Sequence, residues 1–454
     1  MREVDRVLLQ APTGFGKTVV AAAVVQSAAR KGKRALFLVH RDELLVQASR
    51  TFNRFDVAHG FLSPAYTYDP THSIYVGMVD TVRSRLKSGK VRGRFDLVIA
   101  DECHHATSNT WREVLDHCHG AGAKIIGLSA TPVRLDGRPL LGIFDRMVLG
   151  PQVRELIESG DLASYDYYAP PLVDASEIKQ SRGDYDQREL ADLTDRPKIT
   201  GDAIAHYQRL LPGKRAIVFC VTIEHAKHVA AAFAGAGVPA AHIDGMHMSR
   251  EERRRVVRGF EDGRILVMTN VGIATEGFDV AACDAVILLR ATASLGLHMQ
   301  MVGRAMRPHG QKVAVILDHV GNWQRHGLPD KDRDWTLEGR VKGKRRKRDD
   351  EEPVEMRQCD RCFIVHAPAP ACPSCGYVYP VAAREIVQVD GTLQRVVAAD
   401  AEKAAIAAQR KKEVSLAKSL ADLERLAEQR GYSKAWAKHV FQARARKRAS
   451  FGGS

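Results

Sequence analysis

The sequence predicts an α/β protein: two doubly wound parallel sheets in tandem, then a small cysteine-rich metal module and a basic, mostly helical tail. Three observations predict it. Short, almost wholly apolar runs alternate with helix-like stretches, as expected of strands buried on both faces and joined by crossover helices. The alternation occurs twice, on either side of a polar stretch near residues 171–200. Four of the eight cysteines crowd into residues 359–375. At 454 residues and 45% hydrophobic, the chain has material for two or three cores.

The first series of strands reads RVLLQA, ALFLV (35–39), IYVGMV (74–79), DLVIA (96–100) and IIGLS (125–129), with helices such as KTVVAAAVVQSAARKG and RDELLVQASRTFNRF between them. The second reads AIVFC (216–220), PAAHI (239–243), RILVMTN (264–270), DAVILLR (284–290) and VAVILD (313–318). These place a first domain at 1–170, a linker at 171–200 and a second domain at 201–325. A charged linker follows at 326–355, whose KGKRRKRDDEEP segment lacks apolar periodicity. The cysteine module spans 356–380 and the tail 381–454, where leucines 416, 420, 423 and 426 recur at helical spacing.

The formal charge of +14 is concentrated in the last third of the chain and points to a polyanionic partner. No apolar run reaches the roughly 18 residues of a membrane span, and no cleavable hydrophobic leader is evident, so a cytoplasmic protein with no membrane partner is expected. Cys103, Cys118, Cys220 and Cys283 are scattered through apolar segments and read as buried thiols.

Directly after the first strand stands QAPTGFGKT, residues 10–18. Gly14 and Gly16 permit a tight turn whose N–H groups face a phosphate, Lys17 brings charge to the outer phosphates, and Thr18 offers a hydroxyl to Mg²⁺. The following helix directs its N-terminus at the same anion. Ala11 occupies the place of the first glycine of the strict G-x-x-x-x-G-K-[ST] pattern, and an ordinary glycine-rich turn is the bland alternative. Hydrolysis needs a second strand end with acids for the metal and the attacking water. DLVIADECHH supplies Asp101 and Glu102 there. A zinc site at Cys103, His104 and His105 is the competing reading, but no recognised ligand spacing supports it, and magnesium prefers oxygen.

APTGFGKT, DECHH, SAT (129–131), TNVGIATEGFD (269–279) and QMVGRAMR (300–307) follow one another in this order. Together they resemble the ordered motifs of superfamily 2 helicases of the DEAD/DEAH group, among them bacterial RadD-type helicases and phage-encoded relatives with a zinc ribbon tail. The resemblance implies two RecA-like domains that clamp ATP between them. It places Lys17, Thr18, Asp101 and Glu102 in the first-domain ATP site, and His104, Ser129 and Thr131 in coupling hydrolysis to movement. Gln300, Arg304 and Arg307 come from the second domain as catalytic groups, with Gly277 and Asp279 as nucleotide contacts. If QMVGRAMR is helical, its spacing puts those three side chains on one face. Family members carry an adenine-recognising segment ahead of the first strand. Here either such a segment precedes this sequence or the phosphates are held without it.

The resemblance also implies a nucleic-acid track through Arg41, Gln47 and Thr81, each of which reads equally as a surface or capping residue. RNA-specific DEAD-box proteins usually have His where this chain has Gln300, which favours DNA, with RNA as the alternative. An ATP-dependent DNA helicase or translocase in repair, recombination or phage replication is the function implied. A non-catalytic DNA-binding scaffold is the competitor from another class.

CDRCFIVHAPAPACPSCG gives two C-x₂-C pairs, so Cys359, Cys362, Cys372 and Cys375 are expected to hold one structural Zn²⁺, with His366 as a spare ligand. In RGYSKAWAKHVFQARARKRAS, Lys438 and Arg444 lie among basic residues round a Tyr432–Trp436–Val440 stripe. That helix either follows DNA phosphates, docks a repair or replication protein, or packs onto the body with its charges solvated.

Overall fold

A computed structural model of the chain describes residues 4–91, 93–132, 139–169, 178, 180–181, 184–272, 283–310, 312–338 and 356–379. Beyond these it describes 413–414, 417, 419–429, 437–438 and 440–442. Two compact units result, residues 1–379 and 380–454.

The first sheet contains β1 (Arg6–Gln10), β2 (Ala35–Val39), β3 (Gly60–Leu62), β4 (Ile74–Met78), β5 (Leu97–Ala100), β6 (Lys124–Ser129) and β7 (Arg146–Leu149). Their order is β3-β4-β2-β5-β6-β1-β7, with every pair parallel. The all-apolar runs follow from burial on both faces. Leu36 and Leu38 enter one cluster with Leu8 and Val98, while Phe37 and Val39 enter another with Ile99.

The second sheet begins earlier in the chain than the sequence indicates. β8 (Tyr165–Tyr168) lies inside the segment expected to close the first domain, yet it pairs parallel with a strand of the second sheet. Its Tyr-Asp-Tyr-Tyr pattern suits an edge strand and hides it from a search for apolar runs. The stretch expected to be linker holds β9 (Gln180–Ser181), β10 (Asp184–Tyr185) and helix Gln187–Thr194. There follow β11 (Ala216–Phe219), β12 (Ala240–Ile243), β13 (Val267–Asn270), β14 (Ala285–Leu288) and β15 (Ala314–Asp318), in the order β12-β13-β11-β14-β15-β8. Tyr167 is buried, and its hydroxyl donates to Asp318 Oδ2 at 2.8 Å, tying β8 to β15 through side chains as well as backbone.

Residues 356–379 form a small knuckle around β16 (Arg357–Gln358) and β17 (Val365–His366), which pair antiparallel. The knuckle sits on the outer edge of β8. Ile364 bridges Tyr168, the Ala169 N–H donates to the Phe363 carbonyl at 2.9 Å, and the Gln358 amide donates to the Ala169 carbonyl. In the second unit, helix Leu420–Gln429 buries Leu423 and Ala427 together with Ala417 and Ala437. No helix among the described residues is long and apolar enough to cross a membrane.

Candidate nucleotide cleft

β1 ends at Gln10, whose side-chain amide donates to the Ala130 carbonyl at 2.9 Å and anchors the glycine turn to the end of β6. Gly14 (φ 94°) and Gly16 (φ 88°) both adopt left-handed backbone, which costs other residues energy. A Cβ at Gly14 would also come within 2.7 Å of Leu162. Gly16 caps helix Lys17–Arg30 without a side-chain bond, and the first turn has no acidic residue, so the N–H groups of Lys17 and Thr18 are left for an anion. Lys17 Nζ donates to the carbonyls of Ala11 at 3.0 Å and Pro12 at 3.2 Å. Desolvation lowers the pKa of its ammonium, while Glu102 and Asp101 oppose that shift.

Asp101 is buried at the end of β5, where its carboxylate accepts from the Glu102 N–H at 3.0 Å. Burial, and then the Glu102 charge, push the Asp101 carboxyl well above the usual range. Glu102 sits at φ 48°, a left-handed conformation uncommon for a residue with a side chain. This kink turns the chain into the short 3-10 helix Cys103–Thr107. His104 Nδ1 lies 3.3 Å from Glu102 Oε2. Cys103 turns into the core against Gly127, and burial raises its thiol pKa, so it is not offered to a metal. Ser129 Oγ donates to the Thr131 carbonyl at 3.0 Å and accepts from the Thr131 N–H at 3.2 Å, closing a buried turn at the end of β6.

Helix Leu295–Gly303 of the second domain meets this turn and the glycine turn directly. A Cβ on Gly296 would come within 2.7 Å of Thr131 Oγ1, and one on Gly303 within 3.0 Å of Thr13. The two glycines are seven positions apart, hence on one helix face. Neither belongs to a phosphate turn, so their close approach to the first domain is legible only from the packing. The helix stops at Gly303, so QMVGRAMR is not helical throughout. Arg304 and Ala305 continue in i→i−3 turns, at 3.3 Å to Met301 and 3.1 Å to Val302. Pro308 disfavours helical backbone at the residue before it. Gln300 and Arg304 are nonetheless buried, and with Arg307 they line the same cavity of about 280 Å³ as Gly14, Lys17, Thr18, Asp101 and Glu102. The cleft therefore draws cations from both domains and its two acids from the first.

Its remaining wall comes from Val19 and helix Asp42–Arg54. Gln47, expected on a nucleic-acid track, lies in this wall, because Leu45, Ala48 and Phe52 are among the residues the helix buries in the core. Arg41 donates to the Gly272 carbonyl across the domains at 3.2 Å. Next to it Asp42 pairs with Arg250, and Glu43 with Arg253 at 3.7 Å. Thr81 is partly buried on helix Val79–Lys87 and Lys438 is exposed. Gly277, Asp279 and Arg444 fall outside the described residues.

The four Sγ atoms of Cys359, Cys362, Cys372 and Cys375 lie within 4.8 Å of one another. Cys359–Cys375 and Cys362–Cys372 are each 3.6 Å apart, close to the ~3.8 Å edge of a tetrahedron with Zn–S bonds of ~2.3 Å. Four thiolates in this geometry suit a structural zinc and leave no open position. His366 is not a spare ligand, since Nδ1 meets the Ala367 carbonyl and Nε2 the Tyr379 hydroxyl, both at 2.6 Å.

Comparison with known proteins matches residues 2–134 to the family described as type III restriction enzyme, res subunit, and residues 202–309 to the helicase conserved C-terminal domain. A 51.5 kDa protein of a Lactococcus phage (isolate 7-9) is 35% identical over 357 residues, covering 78% of this chain and 74% of its own. The putative ATP-dependent helicase IRC3 of Saccharomyces cerevisiae is 29% identical over 335 residues, 70% of this chain but only 48% of that protein. The chain thus spans about half the length of the yeast relative. Among solved structures, a fragment of a putative HsdR subunit of a type I restriction enzyme from Vibrio vulnificus YJ016 matches with TM-score 0.55 and 24% identity, covering 72% of this chain and 64% of that one. Dbp5 of S. cerevisiae bound to RNA and ADP BeF3 matches with TM-score 0.50 and 14% identity, over 71% and 81%. These structural likenesses are of fold alone. With both helicase halves matched in order, and a relative of this identity aligned over most of both chains, the chain belongs to the superfamily 2 helicases, which are nucleic-acid-dependent ATPases.

Proposed function

We propose that this chain is an ATP-dependent DNA helicase or translocase acting in repair, recombination or phage replication. The observation that carries the reading is the single cleft lined by Lys17, Asp101 and Glu102 from one domain and by Gln300, Arg304 and Arg307 from the other. Lys17 and the N–H groups after Gly16 bind the outer phosphates. Thr18 and Asp101 offer the hard oxygen donors that suit magnesium, which when bound offsets charge on the phosphate oxygens. Glu102 holds and deprotonates the attacking water, and Arg304 and Arg307 stabilise charge on the departing phosphate. His104 beside Glu102, and Thr131 against the glycine face of the second-domain helix, pass the state of the cleft to the second domain.

Gln300 at the head of QMVGRAMR and the match of the first half to a restriction-enzyme subunit support DNA over RNA. The net charge of +14 supports a polyanionic track. ATPase rates measured with single-stranded DNA, duplex DNA and RNA test the proposal. DNA is expected to stimulate turnover most; stimulation by RNA alone favours an RNA helicase. Retained DNA binding with no nucleotide binding points to a scaffold.

A further inference from the structure

We propose that the nucleoside end of the bound nucleotide lies along one face of helix Asp42–Arg54, held by Gln47, Arg50, Thr51 and Arg54. This rests on the phosphate site proposed above and adds the part of the substrate that the glycine turn does not touch. With the terminal phosphate directed at Glu102, Arg304 and Arg307, the rest of the cleft lining is what remains for base and ribose. That lining is Val19 and this helix face.

The four positions recur at three- and four-residue intervals, so they form one stripe. The opposite stripe of Leu45, Ala48 and Phe52 is locked in the core beside Phe37 and Val39, so the polar stripe cannot rotate away from the cleft. Arg50 and Arg54 are exposed, and among the described residues neither guanidinium has a hydrogen-bond or ion-pair partner. By contrast, the acids that open the same helix, Asp42 and Glu43, are engaged by Arg250 and Arg253. Two uncompensated guanidiniums bordering a phosphate cleft suit a purine nucleotide. Each is planar and weakly hydrated, so it stacks on an aromatic face while its charge favours the nearby phosphates. Val19, 47% exposed, adds apolar surface for the base. Thr51 donates its hydroxyl hydrogen to the Gln47 carbonyl at 3.0 Å, which leaves its oxygen as an acceptor for a ribose hydroxyl. The Gln47 amide adds both donor and acceptor.

The test is isothermal titration of the full chain with MgATP and, separately, with magnesium tripolyphosphate, which has the phosphates but no nucleoside. In the double variant Arg50→Ala, Arg54→Ala, the dissociation constant for MgATP is expected to rise roughly tenfold. Tripolyphosphate binding stays within about twofold, since its contacts lie at the glycine turn. Lys17→Ala is expected to weaken both ligands. Unchanged MgATP binding in the double variant overturns the proposal, and so does an equal loss of both ligands, which makes the arginines phosphate contacts only. If Lys17→Ala leaves both ligands bound as before, the phosphate site itself falls, and this proposal with it.

Discussion

Glu102 stands where two demands meet: its carboxylate has to reach the cleft beside Asp101, and its backbone has to leave a buried strand at φ 48°. The side chain, not the kink, is expected to carry the chemistry. Glu102→Gln should lower the nucleic-acid-stimulated ATPase rate by about 10²–10⁴ while MgATP affinity changes only a few-fold, as read from steady-state rates beside direct binding. Asp101 and Glu102 were legible in the sequence because they sit one and two residues past an apolar run, and Lys17 because it follows a glycine turn after one. That Gln47 lines the cleft was not legible, because a helix's sequence shows its stripes but not which neighbour each polar stripe faces. A second residue-scale expectation concerns His319, buried after β15 beside His206, with neither ring nitrogen hydrogen-bonded among the described residues. Burial, and then His206, hold its pKa down at about 3. The folded protein keeps it neutral, whereas the unfolded chain protonates it below about pH 6.5. The unfolded state therefore binds more protons in that window, and stability falls as pH drops from about 6.5 towards 3, by up to ~1.4 kcal/mol per pH unit from this group. Urea unfolding at pH 7 and pH 5 should show the loss, and His319→Leu should reduce it.

Among elements, helix Leu295–Gly303 does most to join the two domains at the cleft. Its glycine face brings it against Thr131 and Thr13, and its C-terminal turn delivers Arg304. Gly303→Ala places a methyl where 3.0 Å remains to Thr13. The expected result is a folded protein with little change in melting temperature but at least tenfold slower ATP turnover, because a small misplacement of reacting groups is costly. Arg304→Ala should spare MgATP binding and cut turnover by roughly a thousandfold, in the range seen for arginine fingers. Elements were legible where burial is two-sided. β2, β11 and β14 read directly as apolar runs, whereas β3, β7 and β8 are short strands at or next to sheet edges and were missed. The domain boundary near 170 was misread for the same reason.

At the scale of the molecule, the domains meet through contacts of unequal strength. The pair Asp42–Arg250 is exposed and Glu43–Arg253 partly so, and surface pairs contribute only about 0–1 kcal/mol each. Contacts this weak align the domains while adding little to the free energy of separating them. Contacts between the knuckle and β8 are of another kind, with backbone pairing, a side-chain amide bond and the packing of Ile364 and Tyr379 around the cysteines. The tetrahedral cysteine cluster was legible from spacing alone, but its seat on β8 was not, because β8 itself was unseen. That seat has a practical consequence. A protein shortened to end at residue 338 would keep both motor halves yet leave the outer rim of β8 bare, and an uncovered strand rim recruits other chains. Such a fragment, or the whole chain treated with a zinc chelator, should self-associate as its concentration rises. Light scattering would reveal it, and clumping that zinc prevents in the whole chain but not in the fragment would trace the fault to that rim.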